Sequence, residues 1–191
     1  MTPEREEKII NVIKHRQPTL TLIFENVWDP HNISAVLRTA DSVGVCEVHV
    51  IQNSTRTVKL GNKSSSSARK WVKANYYSNV EECIHALKPK FKIAATHLVA
   101  SSVNLFETDL TQPIAIAFGN ESEGVSEELL KHSDFNIHIP QVGMIQSLNI
   151  SVACAVTLYE AYRQRSIKGF YKSPQLPESE LMLMNEEWKM K

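Results

Sequence analysis

The chain of 191 residues is long enough for one domain with a buried core, and its 42% hydrophobic and 22% charged residues are typical of a soluble globular protein. Its 21 basic and 21 acidic residues cancel, which argues against binding nucleic acid through a general basic excess. No run approaches the ~18 apolar residues of a membrane span, and the charged N-terminus lacks the apolar stretch of a secretory signal, so we expect a cytoplasmic protein without a membrane partner.

Helix and strand signals alternate along the N-terminal half. They predict a helix over 2–16, a strand over 20–25, a helix over 31–44 and a strand over 46–51, followed by a small polar stretch over 61–68. Thr2 and Pro3 form a typical helix start, and Gly44 is a typical helix end.

The C-terminal half continues the alternation. The predicted elements are a helix over 79–88, strands over 91–97 and 113–118, a short helix capped by Ser126, a strand over 135–139, a helix over 149–165 and a last helix ending near Trp188. We therefore expect a single α/β domain over 1–191, with a parallel sheet covered by helices on both faces. It divides into an N-terminal helix (1–18), a catalytic core (20–165) and a C-terminal extension (166–191).

Local charge and cysteine content refine this description. The stretches 56–73 and 163–172 each carry several basic residues and no acid, which allows a local RNA footprint on a neutral protein; two solvated faces are the alternative. The cysteines at 46, 83 and 154 are odd in number and far apart, so they are read as small buried side chains in a reducing compartment.

Several cofactor motifs are missing. The loop over 119–124 (GNESEG) has Glu121 where a dinucleotide-binding fingerprint needs its second glycine, so a nicotinamide-dependent enzyme is a distant alternative. The chain has no phosphate-binding Walker loop, and its histidines and cysteines do not have the spacing of a zinc site, so we expect no metal.

Three segments carry the strongest functional signal. They are NVWDPHNISAVLRTAD (26–41), IAFGNESEGVS (116–126) and IPQVGMIQSLNISVA (139–153). In order and separation they resemble the three motifs of the SpoU (TrmH) family of RNA 2′-O-ribose methyltransferases. The resemblance covers about residues 20–165, and the helical ends with YRQR (162–165) are similar to the TrmH branch, whose members methylate tRNA at guanosine 18.

The resemblance implies a trefoil knot in the C-terminal half, a homodimer, and S-adenosyl-L-methionine bound in the knot. The implied cofactor-binding residues are His97, Gly119, Asn120, Glu121, Ser122, Glu123, Ile139, Met144, Ser147 and Leu148. Gly119, Gly124 and Gly143 fall in the two proposed knot loops, where backbone has to pass close to backbone and ligand.

The implied catalytic residues are Arg38, Asn32, Glu121, Ser147 and Asn149. A guanidinium stays protonated in proteins, so our hypothesis is that Arg38 binds the RNA phosphate and stabilises the developing alkoxide. The structural alternatives are an ion pair between Arg38 and Asp41, and helix capping by Asn32 and by Asn149. Glu121 as a solvated loop acid is a further alternative.

The candidate RNA-binding residues are Lys63, Arg69, Lys70, Arg163 and Arg165. Arg163 and Arg165 equally suit the negative end of a helix dipole. Trp71 either stacks on a base or, as the favoured interpretation, packs in the core. The stretch 64–68 (SSSSA) departs from the family, where a glycine is expected.

These features predict methyl transfer to the 2′-hydroxyl of the D-loop guanosine 18 of tRNA, with no DNA partner. The alternatives are rRNA as the substrate and a non-catalytic RNA-binding factor. Many rRNA relatives carry an added N-terminal RNA-binding domain, whereas about twenty residues precede the first strand here.

Overall fold

The computed structural model describes residues 1–53 and 68–191, which form a parallel sheet covered by helices on both faces. The strands are β1 (Leu20–Glu25), β2 (Glu47–Ile51), β3 (Lys73–Tyr77), β4 (Lys92–Thr96), β5 (Val103–Asn104), β6 (Ile114–Phe118) and β7 (Phe135–His138). They lie in the order β3-β2-β1-β6-β4-β7-β5, and every pairing is parallel. The predicted fold class is confirmed at this level.

The helices of the described residues are α1 (Pro3–Lys14), α2 (Pro30–Ser42), α3 (Val80–Leu87), α4 (Glu127–His132), α5 (Ile150–Ile167) and α6 (Glu178–Lys189). The apolar sides of α2 and α5 pack on one face of the sheet, and those of α3 and α4 pack on the other. The central strands β1 and β6 are buried along their whole length, as expected for strands covered on both faces. None of the described helices is long and apolar enough to span a bilayer.

Polar side chains at the helix starts explain where these helices begin. Thr2, Asp29, Asn79, Ser126 and Asn149 each accept a hydrogen bond from a backbone N–H of the first turn of their helix. Such caps satisfy donors that the helix itself leaves unpaired. The caps predicted at Thr2, Ser126 and Asn149 are confirmed, whereas α2 is capped by Asp29 rather than by Asn32.

The terminal helices α1 and α6 pack against each other around Ile9, Ile13 and Trp188. Trp71 joins this small core with its ring centroid 4.8 Å from that of Trp188, so the core interpretation of Trp71 is confirmed. The guanidinium of Arg16, which is fully buried, lies 4.8 Å from the Trp188 ring centroid and donates to Asp41.

Two strands were not predicted. β3 has the sequence KANYY and lies at an edge of the sheet, so it lacks the continuous apolar run that marked the central strands. β5 has only two residues and pairs Val103 with Ile137, which is too short to give a periodic signal. The polar stretch predicted over 61–68 lies outside the described residues except for Ala68, as does Lys63.

Candidate active site

A cavity of about 410 Å³ opens at the carboxyl ends of β4, β6 and β7. This is the edge at which open parallel sheets bind ligands. Its walls are Thr96, His97, Leu98, Phe118, Gly119, Asn120, Glu121, Gly124, Ile137, His138, Ile139, Gln141, Gln146, Ser147, Leu148, Asn149, Ile150 and Ala153. The loop after β6 and the loop after β7 therefore face each other across one space.

The loop after β6 is a compact turn. The side-chain Oδ1 of Asn120 accepts from the backbone N–H groups of Ser122 at 2.9 Å and Glu123 at 2.8 Å, and the backbone N–H of Gly124 donates to the carbonyl of Asn120 at 3.0 Å. A Cβ on Gly119 would lie 1.8 Å from the backbone carbonyl of Gly124, so only glycine fits there.

Gly143, in the other loop, does not show such an approach. A Cβ at this position would meet no atom of the described residues within 4 Å, so the close backbone approach expected in these loops is confirmed for Gly119 against Gly124 and is not found at Gly143.

Three polar side chains from the three sequence motifs are joined beside the cavity. The amide Nδ2 of Asn32 donates to Oε1 of Glu121 at 2.6 Å, and Nδ2 of Asn149 donates to Oδ1 of Asn32 at 3.2 Å. Asn32 is 8% exposed and projects from the first turn of α2, which is how a residue 89 positions before Glu121 reaches its carboxylate. The side-chain amides of Asn32 and Asn149 each orient a neighbouring side chain and still have hydrogen-bonding capacity for further contacts.

Asn149 performs two tasks at once. Its Oδ1 accepts from the backbone N–H and the hydroxyl of Ser151, which caps α5, while its Nδ2 holds Asn32. The capping and the site interpretations of Asn149 are therefore compatible. The capping interpretation of Asn32 is wrong, because Asp29 fills that role.

The predicted cofactor-binding residues divide into two groups. Those that line the cavity are His97, Gly119, Asn120, Glu121, Ile139, Ser147 and Leu148. Ser122, Glu123 and Met144 are not among the described residues that line it, and Met144 is fully exposed. Sequence reasoning missed Thr96, Gln141 and Gln146. Only their positions in the sequence could have indicated them. Thr96 is the last residue of β4, and the two glutamines lie close to predicted residues of the loop after β7.

Arg38 lies on a different side of α2 from Asn32. Six residues along an α-helix correspond to ~9 Å of rise and ~240° of rotation, so the two side chains leave the helix in different directions. Arg38 belongs to an exposed stripe with His31, Ala35 and Ser42, and it is not among the described residues that line the cavity. The carboxylate of Asp41, considered above as its partner, accepts from Arg16 at 2.5 Å.

Arg165 has a structural position. It is fully buried, and its five N–H donors bond the carbonyls of Leu110, Thr19 and Gln112, the side-chain oxygen of Gln17 and the hydroxyl of Thr19. Burial lowers the pKa of Arg165 to about 10. No donor is left for a phosphate, so the predicted RNA contact is wrong for Arg165.

Of the other predicted RNA-binding residues, the three that the structure describes lie apart from the cavity. Arg163 is exposed and forms a bidentate ion pair with Glu160, in which both N···O distances are 2.8 Å. Arg69 and Lys70 line a second cavity, of about 600 Å³, between the amino ends of β1 to β3 and α6. The structure therefore does not bring Arg69, Lys70 or Arg163 together with Asn32 and Glu121.

Residues 19–159 match the model of the SpoU rRNA Methylase family. This match covers well over half of the chain and includes all three motifs. The chain belongs to the SpoU rRNA methylase family. Among curated relatives of this SpoU protein, the tRNA (guanosine(18)-2′-O)-methyltransferase of Thermus thermophilus is 46% identical over 176 residues, which are 92% of this chain and 90% of the relative.

Solved structures give the same assignment. The A. aeolicus TrmH/SpoU tRNA modifying enzyme superimposes with a TM-score of 0.90 at 37% identity, over 98% of this SpoU chain and 95% of that one. An AdoMet-bound rRNA methyltransferase from Sinorhizobium meliloti matches with a TM-score of 0.65 at 26% identity, over 81% of this chain and 59% of that one.

Two of the three cysteines agree with the expectation of small buried side chains. Cys83 and Cys154 are buried and Cys46 is partly buried, and all three are free thiols. Burial raises the pKa of Cys46 to about 11 and that of Cys83 to about 12, and it also raises the pKa of Cys154. Thiols that stay protonated are poor nucleophiles.

Proposed function

We propose that the protein transfers a methyl group from S-adenosyl-L-methionine to the ribose 2′-hydroxyl of guanosine 18 in tRNA. The observation that carries this proposal is the chain of hydrogen bonds Asn149–Asn32–Glu121, which joins the three family motifs beside one cavity. The named activity of the T. thermophilus relative, which matches this chain over almost its full length, supports tRNA over rRNA.

The cavity suits the cofactor chemically. Its volume of about 410 Å³ lies within the ~300–1,000 Å³ range of small-molecule sites. Phe118, Ile137, Ile139 and Leu148 provide apolar walls for an adenine ring, and the loop backbone provides hydrogen-bonding groups. Among the described residues that line it, Glu121 is the carboxylate and there is no lysine or arginine, which suits a cationic sulfonium better than a phosphate.

We propose that the loops 119–124 and 139–149 form the trefoil knot of the family and hold the cofactor between them. Two contacts support this. Gly119 packs backbone against backbone on Gly124, and Asn149 ties the second loop to α2. In this proposal Ser122, Glu123 and Met144 contribute by stabilising the conformation of the loops or by closing over the bound cofactor.

The cofactor, when bound, supplies an electrophilic methyl group, and the chain has to position it and stabilise the attacking hydroxyl. Asn32 and Asn149 hold Glu121 at the mouth of the cavity, and Ser147 lies on its wall. Arg38 supplies a permanent positive charge with forked donors, which suits a phosphate and a developing alkoxide.

We propose that the protein is a homodimer in which Arg38 serves the cavity of the partner subunit. Arg38 lies on the exposed stripe of α2, next to the exposed side of α5 with Val152, Tyr159 and Tyr162. The hydroxyls of Ser42 and Tyr159 lie 3.5 Å apart, which makes these two surfaces continuous. A partly apolar face of this kind is suited to pairing of two copies.

We propose that RNA phosphates are held by Lys63, Arg69, Lys70 and Arg163, with Arg165 supporting α5 from inside. The amino ends of the five-residue strands lie ~17 Å from their carboxyl ends, so Arg69 and Lys70 contact a part of the RNA away from the methylated ribose. A tRNA-modifying protein with this substrate acts in the cytoplasm, without a membrane or DNA partner.

The test is incubation of the protein with labelled S-adenosyl-L-methionine and three RNAs: a tRNA, the same tRNA with 2′-deoxyguanosine at position 18, and rRNA. We expect label at guanosine 18 of the first RNA and none at that position in the second. Label only in rRNA would overturn the tRNA assignment, and label in none would favour a non-catalytic RNA-binding factor.

The dimer arrangement has its own test. Arg38→Ala and Glu121→Ala subunits are each expected to have strongly reduced activity alone, and mixing them is expected to raise the activity because each mixed dimer has one intact composite site. Mixed dimers that have been shown to form but are no more active than the single variants would mean that Arg38 and Glu121 act within one subunit or not together.

A further inference from the structure

A buried carboxylate lies directly behind the cofactor loop. Glu25 is the last residue of β1 and is 1% exposed. Its Oε2 accepts from the backbone N–H of Ser126 at 2.8 Å, and its Oε1 accepts from the Ser126 hydroxyl at 2.6 Å. A carboxylate taken out of water is costly unless its oxygens are bonded, so this pair is a specific arrangement.

Ser126 lies at the C-terminal end of the loop after β6. Its hydroxyl also accepts from the backbone N–H of Leu129, which caps α4, so one oxygen links Glu25 to the helix that follows the loop. The neighbouring Val125 is buried in the core between the sheet and α3 and α4. The N-terminal end of the loop is fixed by β6, and its C-terminal end is fixed by Glu25.

The same strand end also sets the start of α2. Asn26 has a positive φ of 52°, and its backbone N–H donates to the carbonyl of Ile51, which pins the end of β1 to the end of β2. The chain then enters α2, where Asn32 bonds Glu121 at 2.6 Å. Glu25 therefore stands between the two segments whose relative position determines the Asn32–Glu121 contact.

We propose that Glu25 is a positioning residue that holds the loop 119–125 in its cofactor-binding conformation. This inference rests on the proposed function, because it assigns the cavity to S-adenosyl-L-methionine. Glu25 touches neither cofactor nor RNA. It acts through Ser126, and its effect is felt at Gly119 to Glu121 in the cavity wall.

The experiment measures the Kd of purified full-length variants for S-adenosyl-L-methionine by calorimetry, at a temperature well below each unfolding transition. Glu25→Gln places an amide where an acceptor is needed, and we expect the Kd to rise about tenfold, which corresponds to losing one hydrogen bond to a charged group. Ser126→Ala should give a rise of similar size, and Ser126→Thr, which keeps the hydroxyl, should restore most of the affinity.

Glu160→Gln is the matched control. Glu160 is also buried (7% exposed), and both of its oxygens also accept hydrogen bonds, but its partners are Arg163 and Gln164 on α5. We expect this variant to lose thermal stability and to keep the wild-type Kd.

Three results distinguish the possibilities. A wild-type Kd in folded Glu25→Gln or folded Ser126→Ala would overturn the positioning role, and so would an equal loss of affinity in Glu160→Gln. If the wild-type protein itself does not bind S-adenosyl-L-methionine, the proposed function fails, and the assignment of Glu25 fails with it. The wild-type titration thus separates the two failures.

Discussion

The amide of Asn32 and the carboxylate of Glu121 are 2.6 Å apart, although 89 positions separate the two residues in sequence. The bond joins the first turn of α2 to the loop after β6, and Asn149 extends it to the start of α5. A contact between an amide and an ionised acceptor is stronger than one between neutral groups. It defines the geometry on which the predictions about catalysis depend.

The first prediction concerns this pair. Replacing Asn32 or Glu121 by alanine should each lower kcat/KM for methyl transfer by about 10- to 100-fold, because a hydrogen bond to a charged group is worth ~1.5–3 kcal/mol. The double variant should be scarcely worse than the poorer single variant, since the two side chains act as a unit. Steady-state kinetics of a double-mutant cycle measure this coupling.

The pair of Asn75 and Glu47 is the control for that cycle. Nδ2 of Asn75 donates to Oε2 of Glu47 at 2.9 Å, which is the same chemistry on β2 and β3 away from the cavity. Alanine at these positions should leave kcat at saturating tRNA near the wild-type value, and any change should appear in KM for tRNA, because Glu47 lines the second cavity together with Arg69 and Lys70. Additive losses for Asn32 and Glu121 would show that their contact has no catalytic role.

The second prediction concerns Arg38. Arg38→Lys keeps the charge but removes the planar fork, so we expect kcat to fall by about 100-fold or more while the Kd for S-adenosyl-L-methionine stays unchanged. Single-turnover kinetics with tRNA, together with calorimetry for the cofactor, make the comparison. Arg5→Lys, at an exposed position of α1, is the control. Near-normal turnover by Arg38→Lys would refute the proposed role of the guanidinium.

The third prediction separates Arg165 from Arg163. Arg165→Met removes five hydrogen bonds, two of which are fully buried, so we expect a loss of about 3 kcal/mol or more in the free energy of unfolding, since each buried acceptor left without a donor costs ~1–3 kcal/mol. The same substitution at Arg163, whose side chain is exposed although its partner Glu160 is buried and keeps a hydrogen bond from Gln164, should cost clearly less stability and weaken tRNA binding. Urea denaturation and tRNA titration report the two effects. Similar stabilities of the two variants would contradict the assignment of Arg165 to the interior.

The fourth prediction concerns acid stability. Burial lowers the pKa of His49 from its ordinary value of 6.5, and its Nδ1 lies 3.0 Å from the Tyr77 hydroxyl. The unfolded chain therefore takes up a proton at this residue at a higher pH than the folded protein does. The stability that neutral His49 contributes is complete above pH 6.5 and is lost as the pH falls below it toward the lowered pKa.

The free energy of unfolding should thus fall less between pH 7.5 and pH 5.5 in His49→Gln than in the wild type, as measured by denaturant titration at several pH values. His85→Gln, the same substitution at an exposed position on α3, should retain the wild-type pH dependence. Parallel pH profiles for the wild type and His49→Gln would contradict the burial effect.

Local sequence was sufficient for most of the elements. The apolar runs of β1 and β6 and the capping side chains Thr2, Ser126 and Asn149 predicted where strands and helices lie, because burial on both faces and helix capping depend on neighbouring residues. β3 and β5 escaped prediction, since an edge strand and a two-residue strand are stabilised by their partners rather than by their own pattern.

The sequence by itself also determined which chemistry is present: the three motifs, the family they indicate, and the absence of a dinucleotide fingerprint. Only the tertiary structure decided which side chains meet. Arg163 and Arg165 are two residues apart on α5, a rotation of ~200°, and so one faces water while the other is enclosed. Glu25 belongs to none of the three motifs. Its carboxylate acquired a role because folding brings the end of β1 against Ser126, 101 positions later.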